Sequence, residues 1–204
     1  MKICAVSDLH GNLIDIPECD VLCIAGDFVD LATQRNIEAS KKWIEKEFVP
    51  WINNLPCKKV IATAGNHEFI FDEDREYKNT LAKLTNDKFK LLIDELYEYD
   101  GVKFYGSPWI RPIQFQKWAF ESPYPVDDPF ENIPKCDILV THENPNYNER
   151  LEFGCFGKYK HHLFGHWHDG ISYGHLNQYN CSILTDSYMP RERLKIVTID
   201  YDGD

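Results

Sequence analysis

The chain has 204 residues, 43% hydrophobic and 27% charged, which suits one ordinary globular domain over 1–204 and argues against disordered and membrane-spanning classes. A formal net charge of −11 disfavours a protein that tracks long nucleic acid, because that task needs basic patches to displace counterions. No apolar run approaches the roughly 18–20 residues that cross a bilayer, and the opening MKICAVSD lacks a signal peptide's apolar core, so the cytoplasm is the expected location.

Residues 2–7 alternate and then run apolar, as a strand buried on both faces does, and end in Ser7-Asp8-Leu9-His10-Gly11-Asn12. A second strand, Asp20 to Ala25, ends in GDFVD, with Asp27 at its tip and Asp30 one turn on. Alone, that Gly-Asp pair reads as a turn. Thr33 is a candidate cap for a helix from Gln34, with Ile37, Ile44, Phe48 and Leu55 at helical spacing and Pro50 expected to end it near Val49. Trp43 and Trp51 on it read as packing. The third strand, Lys58 to Thr63, belongs to VIATAGNHE, which releases Asn66, His67 and Glu68 into a loop. This β-β-α-β order with short links predicts a mostly parallel α/β sheet or one layer of a sandwich.

Phe69 to Asp100 reads as polar and helical, with Asn86 as a cap and Phe89, Leu92, Ile93 and Leu96 as one apolar face. A strand follows at Val102 to Tyr105. Between Ile110 and Pro134 prolines and aromatics break any periodicity, so Trp109, Trp118 or Phe120 either wall a pocket or pack this long loop down. Cys136 to Thr141 is a buried strand ending at His142, Glu143 to Lys160 reads as loop, and His161 to Gly165 is a strand ending in GHWHD. Ile171–Tyr179, Ser182–Thr185 and Leu194–Tyr201 read as antiparallel strands. The seven cysteines contain no C-x-x-C pair and read as reduced, mostly buried thiols.

Five strand-like runs therefore end in Asp8 and His10, Asp27, Asn66 and His67, His142, and His166 and His168. Oxygen and imidazole donors without thiolate suit Mn²⁺, Fe or Zn²⁺ over Cu(I) or an iron–sulfur cluster. Five of the eight histidines lie in these motifs, leaving His161, His162 and His175 outside, and packing alone does not explain that clustering.

In this order, Asp-x-His, Gly-Asp-x-x-Asp, Gly-Asn-His-Glu, a strand-end Thr-His and Gly-His-x-His resemble the signature of calcineurin-like metallophosphoesterases, over Ser7 to Asp169. VKFYGSPWI, KWAF, DILVTH and HLFGHWHDG are similar to the small MPPED-like phosphodiesterases. The resemblance implies a four-layer α/β/β/α sandwich with mixed sheets and two divalent ions, Mn²⁺ foremost, with Fe, Zn²⁺ or Ni²⁺ as alternatives. Asp8, His10, Asp27 and His168 would hold one ion and Asp27, Asn66, His142 and His166 the other, with water between them activated for in-line attack on phosphorus. His67 would serve the leaving oxygen or the phosphoryl group, oriented by Asp30, while Asn66, His67 and Trp109 would contact substrate.

There are departures. Leu31-Ala32 stands where protein phosphatases and diadenosine tetraphosphate hydrolases have Arg-Gly, which removes a bidentate phosphate clamp and points to small substrates. Glu143-Asn144-Pro145 follows His142 where small residues or proline are usual, and His166 is kept where some MPPED-like relatives have glycine. The expectation is hydrolysis of a small phosphodiester or nucleotide, a cyclic nucleotide among the candidates. A phosphomonoesterase and a non-catalytic scaffold are the alternatives, and monomer and homodimer both stay open.

Overall fold

A computed structural model describes residues 1–123, 125–191 and 196–203. Two five-stranded sheets pack face to face. The first takes β1 (Lys2–Val6), β2 (Cys19–Ala25), β3 (Cys57–Thr63) and β4 (Phe89–Leu92), all parallel. The second takes β5 (Glu95–Tyr99), β6 (Val102–Ser107), β7 (Ile138–Thr141), β8 (His161–Phe164) and β9 (Gln178–Asn180), parallel except for the β5–β6 pair. β10 (Val197–Asp200) returns antiparallel to β1 and makes the first sheet mixed as well. Ile3, Val21, Ile61, Phe104, Ile138 and Leu163 fill the space between the sheets.

Helices cover the outer faces and complete the four layers. On the first sheet lie α1 (Ile37–Trp43), a π-helical turn (Ile44–Phe48), α2 (Val49–Asn54), α3 (Phe69–Glu73) and α4 (Tyr77–Leu84). Phe28 packs against Phe48, Phe71 and Phe89 with ring centroids 4.8–5.9 Å apart, each buried ring contributing about 1.5–3 kcal/mol. On the second sheet, α5 (Glu149–Cys155) buries Leu151 and Cys155 against Tyr105 and Leu139. No helix among the described residues is long and apolar enough to cross a membrane.

Several boundaries differ from the sequence reading. The first helix is capped not by Thr33 but by Asn36, whose Oδ1 accepts from the Ala39 N–H at 3.0 Å, while the Thr33 hydroxyl donates to the Asp30 carbonyl. Pro50 does not end it: the π turn widens the helix just before, and proline falls in the first turn of α2, where its missing donor costs nothing. The helix expected over Asn86 to Leu96 is two strands. Asn86 and Asp87 both take positive φ (50° and 59°), which makes a turn, and Phe89, Leu91 and Leu92 are buried in β4. At Asp94 (φ 52°) the chain then steps from the edge of one sheet to the edge of the other.

Glu143 to Lys160, read as loop, contains α5, whose cap is the Asn148 side chain accepting from the Arg150 and Leu151 N–H groups. Of the expected C-terminal antiparallel strands, Ser182 and Leu184 make only isolated bridges and β9 runs parallel to β8. The start expected at Leu194 lies outside the described residues.

Gly106 on β6 lies directly against Leu92 of β4, where a Cβ would stand 2.4 Å from the Leu92 Cβ. A Gly106→Ala substitution is therefore expected to push the sheets apart and cost about 1–3 kcal/mol of unfolding free energy, as measured by denaturant titration.

Candidate active site

β1, β2 and β3 lie side by side in one sheet, and β7 and β8 side by side in the other. Because these strands are parallel within each sheet, their carboxyl ends share one edge, and the loops leaving them meet there. Four of the donor residues in those loops hold the left-handed region without being glycine: Asp8 (φ 56°), His10 (44°), Asp27 (54°) and His166 (66°). Such strain costs roughly 1–3 kcal/mol each and persists where the surroundings over-determine it. Here it turns ligand-type side chains inward.

Among the described residues, three groups of donor atoms converge closely enough to hold a cation: Asp8 with His10 and His168, Asp27 with His142 and His166, and His10 with Asp27 and His67. Asp27 takes part in two of the groups. Its Oδ2 lies 3.1 Å from His142 Nε2 and 3.7 Å from Nε2 of both His10 and His67. Its Oδ1 accepts the His67 backbone N–H at 2.9 Å. His168 Nε2 stands 3.5 Å from Asp8 Oδ1.

The outer contacts orient the rings. His142 Nδ1 donates to the Ala25 carbonyl and His168 Nδ1 to the Thr185 carbonyl, each at 2.8 Å, which leaves both Nε2 atoms facing the site. Glu68, fully buried, accepts the backbone N–H groups of Asp27, Val29 and Gly65 at 2.7, 2.9 and 2.6 Å and so fastens the tip of β2 to that of β3. Burial, followed by the Asp27 charge, pushes the Glu68 carboxyl up to about 8 against those donors. Gly65 is required for space: a Cβ there would sit 2.3 Å from Asp27 Oδ1 and 2.7 Å from His142 Nε2.

The donor set fits divalent metal. Asp8 Oδ2 and both ring nitrogens of His10 are buried without a hydrogen-bond partner among the described residues, a cost that a cation relieves. His142 Nε2 also meets Asn66 Oδ1 at 3.0 Å, so two oxygens point at one nitrogen and only a proton or a cation reconciles them. Without metal, protons do this work. Burial would lower His142 and His168, but Asp27 holds the first up at about 10 and Asp8 holds the second up at about 9. Burial would raise Asp8, but His168 outweighs it and brings the carboxyl to about 2. Burial dominates at His10 and His166, lowering each to about 4.

Above the donors opens a cavity of about 360 Å³, whose walls include Asn66, His67, Gln114, Phe115, Trp118 and Tyr188. The structure thus brings together Asp8, His10, Asp27, Asn66, His67, His142, His166 and His168. It does not bring Trp109 to the cavity: that indole N–H donates to Asp94 at 2.5 Å and its ring rests on Phe120. Trp118 stands there instead, 4.7 Å from the His67 ring, braced from behind by the Arg35 guanidinium 4.7 Å away. Nor is Asp30 hydrogen-bonded to His67. It packs under Gly11, and the carboxylate nearest His67 is Asp27, so the expected orienting role has no contact behind it.

No motif in the sequence announces Tyr188. Its ring lies 5.0 Å from both His10 and His168. Glu143 accepts from the Arg111 N–H, the Asn144 N–H and the Trp167 indole, and so anchors the loop that carries His166 and His168.

A family model described as calcineurin-like phosphoesterase matches residues 1–170. Metallophosphoesterase domain-containing protein 1 of Homo sapiens is 29% identical over 231 residues, covering 93% of this chain and 68% of the human protein. A UPF0046 protein of Caenorhabditis elegans is 29% identical over 202 residues, covering 82% of this chain and 69% of that one. Among solved structures, an archaeal phosphodiesterase is 17% identical with a TM-score of 0.45, covering 98% of this chain and 99% of the other. With more than half its length matched by that model, over the segment that carries every donor described above, this chain belongs to the calcineurin-like phosphoesterase family.

Proposed function

We propose that the chain, as one domain, hydrolyses a small phosphodiester with two divalent ions, Mn²⁺ being the best match to the donors. Asp8, His10, Asp27 and His168 would hold one ion, and Asp27, Asn66, His142 and His166 the other. The observation that carries this reading is the convergence of buried, unpartnered donors, Asp8 Oδ2 and both nitrogens of His10, beside a cavity wide enough for a small ester. When bound, the ions supply Lewis-acid stabilisation of phosphoryl charge and lower the pKa of water.

The remaining work falls to protein groups. Asp27, whose Oδ2 lies within 3.7 Å of His10, His67 and His142, would supply negative charge between neighbouring cations. His67 lines the cavity with its Nδ1 unpartnered, which places it to hydrogen-bond the leaving oxygen and hand it a proton. Burial lowers its pKa, and the Asp27 carboxylate works against burial in favour of the imidazolium that proton donation requires. Asn66 offers its amide to the phosphate, and Trp118 takes the wall position expected of Trp109. The human relative's name speaks of a metallophosphoesterase domain, and the archaeal structure is that of a phosphodiesterase. A cytoplasmic protein acting on a soluble nucleotide or similar small ester is compatible with the net charge of −11, which disfavours long nucleic acid.

The deciding experiment compares hydrolysis of bis(p-nitrophenyl) phosphate with that of p-nitrophenyl phosphate after Mn²⁺ is added to chelated protein. A higher rate on the diester is expected, and no metal-dependent turnover of either would refute the proposal. Asp27→Asn is expected to lower bound metal, read by elemental analysis, together with activity. His67→Ala should reduce kcat by about 10²- to 10⁴-fold with metal content unchanged, whereas a parallel loss of metal would make His67 a ligand instead. Trp118→Ala should raise KM for the aryl diester by about 5- to 150-fold, the equivalent of about 1–3 kcal/mol of stacking, while Trp109→Ala leaves KM alone.

A further inference from the structure

The opposite end of the same sheet carries a cluster that the hydrolytic site does not use. Cys19 opens β2 and Cys57 opens β3, and the two are direct register partners across the parallel pair. Neighbouring strands run about 4.8 Å apart, inside the range of roughly 4.4–6.8 Å between Cα atoms that a disulfide spans. The two side chains interact with each other, and Cys19 interacts with Cys4 on β1 as well. No disulfide joins any of the seven cysteines; Cys57 is partly exposed and the others are buried. Cys19 and Cys57 both line a cavity of about 570 Å³ that opens to solvent between Lys2 and Lys58.

We propose that Cys57 is a redox-modified thiol that closes a reversible disulfide with Cys19, tying the feet of β2 and β3 together at the end remote from the hydrolytic pocket. The oxidant is a peroxide. The Cys57 thiolate attacks a peroxide oxygen, the O–O bond breaks, and hydroxide leaves to take up a proton, which makes Cys57 a sulfenic acid and reduces the peroxide to water. The Cys19 sulfur then attacks the Cys57 sulfur, the S–O bond breaks, and a second water departs with the Cys19 proton. Two thiols and one peroxide thus yield one disulfide and two waters, and a thiol reductant reverses the link.

The surroundings select Cys57 for the first step. The hydrogen bond from Cys19 lowers its pKa, opposed by burial and assisted by Lys88, whose ammonium is held close by the Leu55 carbonyl at 2.7 Å. Burial instead raises Cys4 to about 11 and Cys136 and Cys155 to about 12, so those thiols stay protonated and inert. The link would close a loop that holds the whole α1–α2 layer, and so would restrict the unfolded chain.

The test treats the full-length, metal-loaded protein with hydrogen peroxide, blocks remaining thiols with iodoacetamide, and maps peptides by mass spectrometry without reduction. A linked Cys19–Cys57 peptide that dithiothreitol separates is expected, with a higher melting temperature for the oxidised wild type alone. Cys57→Ser should abolish the link, and Cys19→Ser should leave a Cys57 sulfenic acid that dimedone captures. The proposal is overturned if Cys57 remains fully alkylatable after peroxide, if Cys19 joins Cys4 instead, or if Cys57→Ser forms the same amount of disulfide.

Discussion

Everything at the hydrolytic end of this molecule depends on keeping the Asp27 carboxylate ionised where it is nearly inaccessible to water. An isolated buried charge of that kind costs several kcal/mol, so the fold must surround it with compensation. His142, His10 and His67 approach one of its oxygens, and the His67 backbone N–H takes the other. Glu68 grips the backbone beneath it. The charges of His142 and His67 outweigh burial and keep the carboxyl well below the usual carboxylate range. Without cations, imidazolium groups balance buried carboxylates, which leaves a site tuned to exchange protons for metal.

Parallel topology converts that constraint into a pocket. Strand ends from two sheets meet at one edge only because the strands that carry the donors run the same way, and the sheets pack face to face through a tight apolar layer. Backbone strain supplies the final adjustment. Asp8, Asp27 and His166 sit at the first or second position after a strand or its glycine, and left-handed φ at each swings the side chain inward. The inter-sheet packing over-determines those conformations, so stability invested in the core is what holds the site in shape.

The two ends of the first sheet consequently differ in chemistry. Its carboxyl edge gathers hard oxygen and imidazole donors, and its amino edge gathers thiols that no motif announces. The two ends therefore present different donor chemistry, oxygen and imidazole at one and thiol at the other.

The primary structure by itself determined the donors and their order. Apolar runs ending in Asp8-x-His10, Gly26-Asp27, Gly65-Asn66-His67, His142 and Gly165-His166-x-His168 are local patterns, and a buried parallel strand that ends in polar residues is legible at that range. Phe89 to Leu96 was ambiguous, because its apolar spacing satisfies a helix as well as two short strands, and the choice fell to positive φ at Asn86, Asp87 and Asp94 and to vacant sheet edges. Which aromatic ring lines the cavity was likewise beyond local pattern. Trp109 and Trp118 look alike in a loop without periodicity, and only the placement of Asp94 beneath one and His67 beside the other separates them. Asp30 failed to reach His67 for a related reason: closeness along the chain says nothing about which carboxylate a folded sheet edge places beside a ring. Tertiary structure decided these points, because contacts between distant segments set side-chain direction once the strand ends have converged.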